Sequence, residues 1–274
     1  MSKSETWPRR IVCLTTEVTE ILFALGAGER IVGVSGYATR PPEVRLKPKV
    51  SAFTSIRMDK IRALEPDLIF AFSDLQKEIV RDLTGEGYNV FATNQRSLAE
   101  VGDVILAVGR LVGLGEKAED LRHHFFEELD QLEEKAKRFP RRLRVYFEEW
   151  DDPMISGIRW AGELIRKLGG EDIFEELEAG KTARERKVSS EEIIRRNPEI
   201  ILASWCGKKV RPEKIRSREG WDAMDAVRAN QIHEIKSADI LQPGLSLLHG
   251  ARQIFEIFRQ FHAKFSLPLQ ARIA

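Results

Sequence analysis

One fourteen-residue stretch occurs twice in this chain. Residues 59–72 and 191–204, the second set 132 positions after the first with no gap, share a single order. An acid opens it, a short run with helical apolar spacing follows, then a proline, a second acid and a continuous apolar run. Asp59, Pro66 and Asp67 answer to Glu191, Pro198 and Glu199. A second echo precedes each copy: Glu20-Ile21-Leu22 with Leu25-Gly26, and Glu163-Leu164-Ile165 with Leu168-Gly169. Shared order in both halves predicts two similar lobes. Two lobes frame one cleft, and a cleft is a place to hold a ligand.

The local patterns say what each lobe contains. Apolar runs at 10–14, 31–34, 67–72, 89–92, 144–149, 200–204 and 231–235 predict strands. Helical spacing predicts helices at 17–25, 59–64, 75–85, 160–168, 191–196 and 246–261, with Thr15 and Thr16 offered as caps. The 59–64 helix must stop before Pro66, because the residue preceding proline avoids the α region. Strands that alternate with helices argue for an α/β fold with parallel sheets covered on both faces. From residue 98 the pattern turns helical, breaks at Gly113-Leu114-Gly115 and resumes over 116–139. Leu121, Phe125, Leu129, Leu132 and Ala136 make one apolar stripe there. The expected organisation is an N-terminal lobe over 1–112, a stiff backbone helix over 113–140 and a C-terminal lobe over 141–274.

Composition narrows the function. Charged residues make up 32% of the chain, yet the net charge is only +1. That balance argues against a nucleic-acid partner, which would call for a clustered basic excess. No stretch has the apolar length to span a membrane, so no membrane insertion is expected. The N-terminal residues carry no apolar signal core, which reads as a cytoplasmic protein or as a periplasmic one whose leader was removed. Two cysteines are no disulfide framework.

Ligands of open α/β sheets bind beyond the carboxyl ends of the strands. Those ends hold Cys13, Thr15, Tyr37, Asp74, Arg96, Glu149, Trp150, Trp205, Cys206 and Lys208. Trp150 and Trp205, with Trp160 a little further on, offer either stacking surface for a large flat ligand or anchors for the core. Cys13 and Cys206 read either as two buried thiols or as a soft pair, one from each lobe, that touches a metal. The five histidines offer no close-spaced ligand pair. No Gly-x-Ser-x-Gly elbow, phosphate loop or HExxH helix is present, and no Ser-His-acid set can be drawn from spacing. No catalytic residue is therefore expected, and no enzymatic cofactor.

Several segments resemble the cobalamin-binding branch of the helical-backbone metal receptors that serve ABC importers. They are Val34-Ser35-Gly36-Tyr37 with Pro41-Pro42-Glu43, Lys49-Val50-Ser51, the 59–71 stretch, Ser156-Gly157, Leu168-Gly169-Gly170-Glu171-Asp172-Ile173-Phe174 and Val188-Ser189-Ser190-Glu191. The resemblance runs from about residue 10 to 261. It implies two Rossmann-like lobes with parallel central sheets, joined by one long helix, with the ligand cleft between them. Tyr37 falls on the tyrosine that packs on the corrin, Phe53 on a cleft tryptophan and Met154 near a cleft phenylalanine. Asp59 and Glu191 fall on two acids, one per lobe, that dock arginines of the transporter permease; the bland reading is a pair of acids favoured by helix N-termini. Departures are local. Glu185 or Arg186 stands where the family has a tryptophan, and Pro243-Gly244-Leu245-Ser246 lacks an arginine often found there. Glu148-Glu149-Trp150 and Trp205-Cys206-Gly207-Lys208-Lys209 have no usual counterpart.

Together these readings predict a non-enzymatic binder of a metal-containing small molecule, first a cobalamin or another corrinoid. Tyr37, Phe53, Trp150 and Trp205 would supply surface, Glu149 and Lys208 would meet polar substituents, and Cys13 and Cys206 would approach the metal. The alternatives are a ferric siderophore, haem, a metal ion or an iron–sulfur species on the same scaffold. A further one is a cytoplasmic corrinoid-processing enzyme or chaperone that uses the two thiols.

Overall fold

The computed structural model describes residues 7–180 and 182–265. The chain divides into two compact units. One runs to Phe126 and takes in Pro243–Leu245; the other holds Glu127–Gln242 and continues from Ser246. The division falls inside a continuous helix, α5 (Gly115–Ala136), rather than setting 113–140 apart. On that helix Phe125, Leu129 and Ala136 are buried, the middle and end of the expected apolar stripe.

Unit 1 is built on a six-stranded sheet in the order β4-β3-β2-β1-β5-β6. Its strands are β1 (Ile11–Cys13), β2 (Ile31–Ser35), β3 (Lys49–Ala52), β4 (Ser55–Ile56), β5 (Leu68–Phe72) and β6 (Val90–Thr93). All neighbours are parallel except the short β3–β4 hairpin. Its helices are α1 (Thr16–Ala24), α2 (Met58–Leu64), α3 (Lys77–Gly85) and α4 (Leu98–Leu111). Every residue of β5 is buried, as a central parallel strand covered on both faces requires.

Unit 2 repeats the plan with a five-stranded sheet, β11-β10-β7-β8, with β9 also paired to β7. The strands are β7 (Leu143–Asp151), β8 (Met154–Ser156), β9 (Gly170–Asp172), β10 (Ile200–Ala203) and β11 (Ile232–Glu234). Only β8 runs antiparallel to its neighbour. The helices are α6 (Arg159–Lys167), α7 (Ser190–Arg196), α8 (Pro212–Arg216), α9 (Asp225–Arg228), α10 (Ser237–Ile240) and α11 (Leu247–Phe265). Tyr146, Phe174, Trp205, Trp221 and Ile201 form the centre of its core.

The sequence echo is a structural repeat. Helices α2 and α7 each have seven residues and end on a left-handed residue, Glu65 at φ 42° and Asn197 at φ 43°. Each then meets its proline and passes into a fully buried strand. Asp67 accepts the backbone N–H of Arg10 at 3.0 Å, and Glu199 that of Arg144 at 3.1 Å. The Arg10 guanidinium donates to the carbonyl of Glu65 at 3.2 Å, and that of Arg144 to the carbonyl of Asn197, also at 3.2 Å. So each lobe clips the start of its first strand to the end of the same helix, satisfying carbonyls that a helix terminus leaves open. The earlier echo also holds: α1 and α6 each span nine residues and are followed by Gly26 and Gly169 at φ 81° and 92°. That left-handed turn favours glycine.

The strands β3, β4, β8 and β9 escaped the pattern reading. They are two to four residues long and, unlike the equally short β1, β6 and β10, do not lie in a continuous apolar run.

Candidate functional site

The carboxyl ends of the unit 1 strands carry a row of exposed apolar side chains. Tyr37 follows β2 and is 55% exposed, Phe53 follows β3 at 37%, and Leu75 follows β5 at 60%. Local hydrogen bonds fix the loops that present them. Gly36 N–H donates to the carbonyl of Ser51 at 2.7 Å, and Ala38 N–H to that of Ser35 at 3.1 Å. Gln76 is wholly buried; its Nε2 donates to the carbonyl of Phe53 at 2.7 Å, and its Oε1 accepts from the N–H of Phe72 at 2.9 Å. One amide thus ties the Phe53 turn to the end of β5. Ser73 sits at φ 61°, a rare conformation for a residue with a side chain, and its Oγ accepts from Leu75 N–H at 3.2 Å. Rings of Phe53 and Phe72 lie 6.5 Å apart, and the Arg96 guanidinium stands 5.7 Å from the Phe72 ring, held by Asp74 at 2.8 Å. Leu75 is a functional candidate that the sequence reading does not select, because it assigns Leu75 to a helix that begins two residues later, whereas Arg96 is among the strand-end residues it names.

Beneath this row the chain is closed. Thr15 caps the start of α1 with its backbone and is buried, its carbonyl accepting from the Thr19 hydroxyl at 2.7 Å. Thr15 therefore lies under the surface, not on it. Cys13 is wholly buried in β1, and burial pushes its thiol up to about 12. That corrects the expectation that Cys13 reaches a ligand: a neutral thiol in an apolar core is neither a nucleophile nor a metal ligand. Pro243–Leu245 packs here as well. Gln95 donates to the carbonyl of Pro243 at 2.9 Å, and a Cβ on Gly244 would come within 2.6 Å of the Glu17 Cβ. Burial raises the Glu17 carboxyl to about 7.

The corresponding strand ends of unit 2 are ionic. Glu148 in β7 is wholly buried and accepts two bonds from Arg218 and one from the Trp205 indole at 3.0 Å. Glu149 is taken by Arg186, itself 3% exposed, which also donates to the carbonyl of Ser156 at 2.6 Å. Asp151 accepts from both Lys208 and Lys214, the latter at 2.6 Å. Lys208 Nζ stands 3.9 Å from the centre of the half-buried Trp150 ring. Trp150 is pinned by a 2.8 Å bond from its indole to the carbonyl of Asp152. Met154 opens the strand after that turn and packs half-buried on the unit 2 core.

Three expectations change in this unit. Trp160 and Trp205 are 2% and 1% exposed, with indoles bonded to the carbonyl of Ile240 and to Glu148. They anchor the core and present no stacking face. Glu149 is committed to Arg186 and is not free to meet a ligand. Cys206 alone of the two thiols is exposed; partial burial and the nearby Glu149 charge raise it. Lys214, Arg218 and Arg186 were missed as partners because their contacts join residues 37 to 70 positions apart. Among the described residues no three His, Cys, Asp or Glu side chains come together to hold a metal ion. Asp59 and Glu191 both lie exposed in the first turns of the equivalent helices α2 and α7. Hydrogen bonding to Arg57 lowers Asp59, and backbone N–H groups at the helix start lower Glu191.

Comparison with known proteins places this architecture. The family model for periplasmic binding proteins matches residues 11–238. This chain belongs to the periplasmic binding protein family. It is similar to the vitamin B12-binding protein of Vibrio vulnificus, 27% identical over 268 residues, covering 93% of this chain and 92% of the relative. It is also similar to an uncharacterized ABC transporter substrate-binding lipoprotein of Bacillus subtilis, 26% identical over 91% of this chain and 79% of that one. A solved structure described as a possible iron-binding, periplasmic solute-binding protein from Staphylococcus epidermidis superposes with a TM-score of 0.79 at 24% identity, covering 92% of this chain and 98% of that one. The fold is thus the two-lobed α/β fold of this class, and these relatives are binding proteins, not enzymes. Among the described residues no helix is long and apolar enough to cross a membrane.

Proposed function

We propose that this chain binds a metal-containing small molecule, a corrinoid or another metal chelate, as the substrate-binding component of an ABC-type uptake system. The metal is cargo, carried in its own chelator. The observation that carries the reading is the exposed row of Tyr37, Phe53 and Leu75 at the strand ends of unit 1. A folded chain gains nothing by holding a buried glutamine under Phe53 and then leaving its ring in water. A flat ligand that covers these rings would recover area worth about 25 cal/mol per Å² of apolar surface. Trp150 and Met154 at the strand ends of unit 2 are the further candidate contacts, with Lys208 for an acidic or carbonyl group. The resemblance to vitamin B12-binding proteins over nearly the whole chain supports a corrinoid as first choice. A ferric siderophore, haem or other iron species is the alternative on this scaffold.

Asp59 and Glu191 are the proposed contacts to the transporter. They are exposed, acidic and at repeat-equivalent positions, which suits docking on two similar basic pockets of a permease. Such a role places the protein outside the cytoplasmic membrane. The reading in which two thiols process a corrinoid loses support, because Cys13 is sealed in the core. Calorimetric titration of the purified protein with cobalamin, haem and ferric siderophores tests the proposal. Saturable one-to-one binding of at least one of them at micromolar protein is expected. No binding across the panel would remove it.

A further inference from the structure

Asp151, at the end of β7, is matched by more positive charge than it needs. Glu148 is matched by Arg218 and Glu149 by Arg186, one anion to one cation. Asp151, with a side chain only 1% exposed, is matched by two cations, Lys208 and Lys214. One lysine would neutralise it. The second leaves a surplus of one positive charge over that group. Burial works to raise Asp151, and the two lysine hydrogen bonds outweigh it and hold the carboxyl down at about 2. It remains ionised and keeps both ammonium groups in place. Each ammonium has three N–H donors and lends one to Asp151. The lysines are 39% and 45% exposed, so their remaining donors are within reach of a ligand. Lys208 also lies over the face of Trp150 at 3.9 Å, which sets a charged donor beside a flat apolar surface.

We infer that Lys208 and Lys214 form a carboxylate clamp, and that the metal chelate this chain takes carries acidic side arms. The inference rests on the metal-chelate reading above and sharpens it. A carboxylate that bridges the two ammoniums gains charge-assisted bonds, roughly twice as strong as those to a neutral amide oxygen. Trp150 beside it takes the apolar rim of the ligand. Chelates with free carboxylates are selected over the same chelates with amide or ester arms. Both iron tetrapyrroles and carboxylated corrins present this chemistry.

Two pairs of probes distinguish the sources: iron protoporphyrin against its dimethyl ester, and cobyrinic acid, with its free carboxylates, against amide-bearing cobalamin. Each is titrated into the wild-type chain, Lys208→Gln/Lys214→Gln, Lys214→Gln alone and Lys209→Gln. In the wild type the acid member of at least one pair is expected to bind tenfold or more tightly than its masked partner, with a preference that shrinks as salt rises. The double variant should lower that preference to within twofold. Lys214→Gln leaves Asp151 neutralised by Lys208, so it tests the surplus charge even where the double variant is poorly folded; it should remove most of the preference. Lys209→Gln should leave it intact. Equal binding of acid and masked forms by the wild type, or a preference that survives in Lys214→Gln and the double variant, would overturn the clamp while the binding proposal stands. No binding of any of the four probes or of a ferric siderophore would overturn both.

Discussion

The two units share a frame and differ at its rim. In the frame the same parts recur: a seven-residue helix with an acid in its first turn, a left-handed cap, a proline, an acid that takes a backbone N–H, and an arginine clipped to the cap carbonyl. At the strand ends little recurs beyond a cation held by an acid near a ring, Arg96 with Asp74 and Phe72 and Lys208 with Asp151 and Trp150. Unit 1 presents Tyr37, Phe53 and Leu75 to solvent, while unit 2 presents Trp150 among ion pairs of Glu148, Glu149 and Asp151. Residues of the frame hold the lobe together because each satisfies a backbone N–H or carbonyl at a strand start or helix end. The exposed side chains Tyr37, Phe53 and Leu75 contribute little to the core and are free to be shaped by a ligand. The contrast separates fold from function residue by residue, and it can be broken at several points.

The largest effect is expected from the buried ionic centre of unit 2. Glu148→Ala would leave Arg218 and the Trp205 indole without their acceptor, and breaking a buried pair of this kind costs about 3–5 kcal/mol. Chemical denaturation should show that loss. A loss under about 1 kcal/mol would mean that the buried Glu148–Arg218 pair is not structural.

Next comes a pH effect that each unit contributes separately. Burial raises Glu17 in unit 1 and Asp172 in unit 2 to about 7 each, against the ordinary carboxylate values of 4.5 and 3.8. In the window between the ordinary value and about 7 the folded chain keeps the proton and the unfolded chain has lost it. Stability therefore falls as pH rises through that window, by up to roughly 3 kcal/mol for Glu17 and roughly 4 kcal/mol for Asp172 at 1.36 kcal/mol per pKa unit. Urea melts at pH 4.5 and pH 8 are expected to show the fall. Glu17→Gln and Asp172→Asn should each remove a part of it, and an unchanged pH dependence in both variants would contradict the assigned burial.

Smaller still in stability, but not in binding, are the rim aromatics. Tyr37→Ala and Phe53→Ala should change stability by no more than about 0.5 kcal/mol, as surface substitutions do. Each should weaken chelate binding by about tenfold or more, close to 1.4 kcal/mol. Comparable losses in both quantities would place these rings in the frame instead. The least perturbing probe is chemical. A thiol reagent should label Cys206 in the native protein and Cys13 only after unfolding; rapid native labelling of both would refute the sealed position of Cys13.

Much of the frame was legible in the sequence because its determinants are local and repeated. Pro66 and Pro198 mark helix ends, Gly26 and Gly169 mark left-handed turns, and the runs at 68–72 and 200–203 are apolar throughout. The rim was legible only in part. Strand ends could be located, so Tyr37, Trp150 and Lys208 were singled out there, whereas Phe53, after the unpredicted β3, came only from the family resemblance. Whether an indole at such an end faces water or core depends on partners far along the chain. Trp205 is buried because Glu148, 57 positions earlier, accepts its N–H, and Trp160 because the carbonyl of Ile240 is 80 positions later. The pairing of Asp151 with Lys214 across 63 positions was hidden for the same reason. Cys13 looked like a rim residue because it ends β1, yet the parallel neighbours β2 and β5 on either side enclose it.

Hydrogen–deuterium exchange with and without a saturating metal chelate tests the central claim most directly. The account predicts ligand-induced protection at 36–38, 53–54 and 73–76 in unit 1 and at 150–154 and 206–214 in unit 2, with the helices α2 and α7 unchanged. Bound chelate with protection confined to other surfaces, and none at these strand ends, would contradict it.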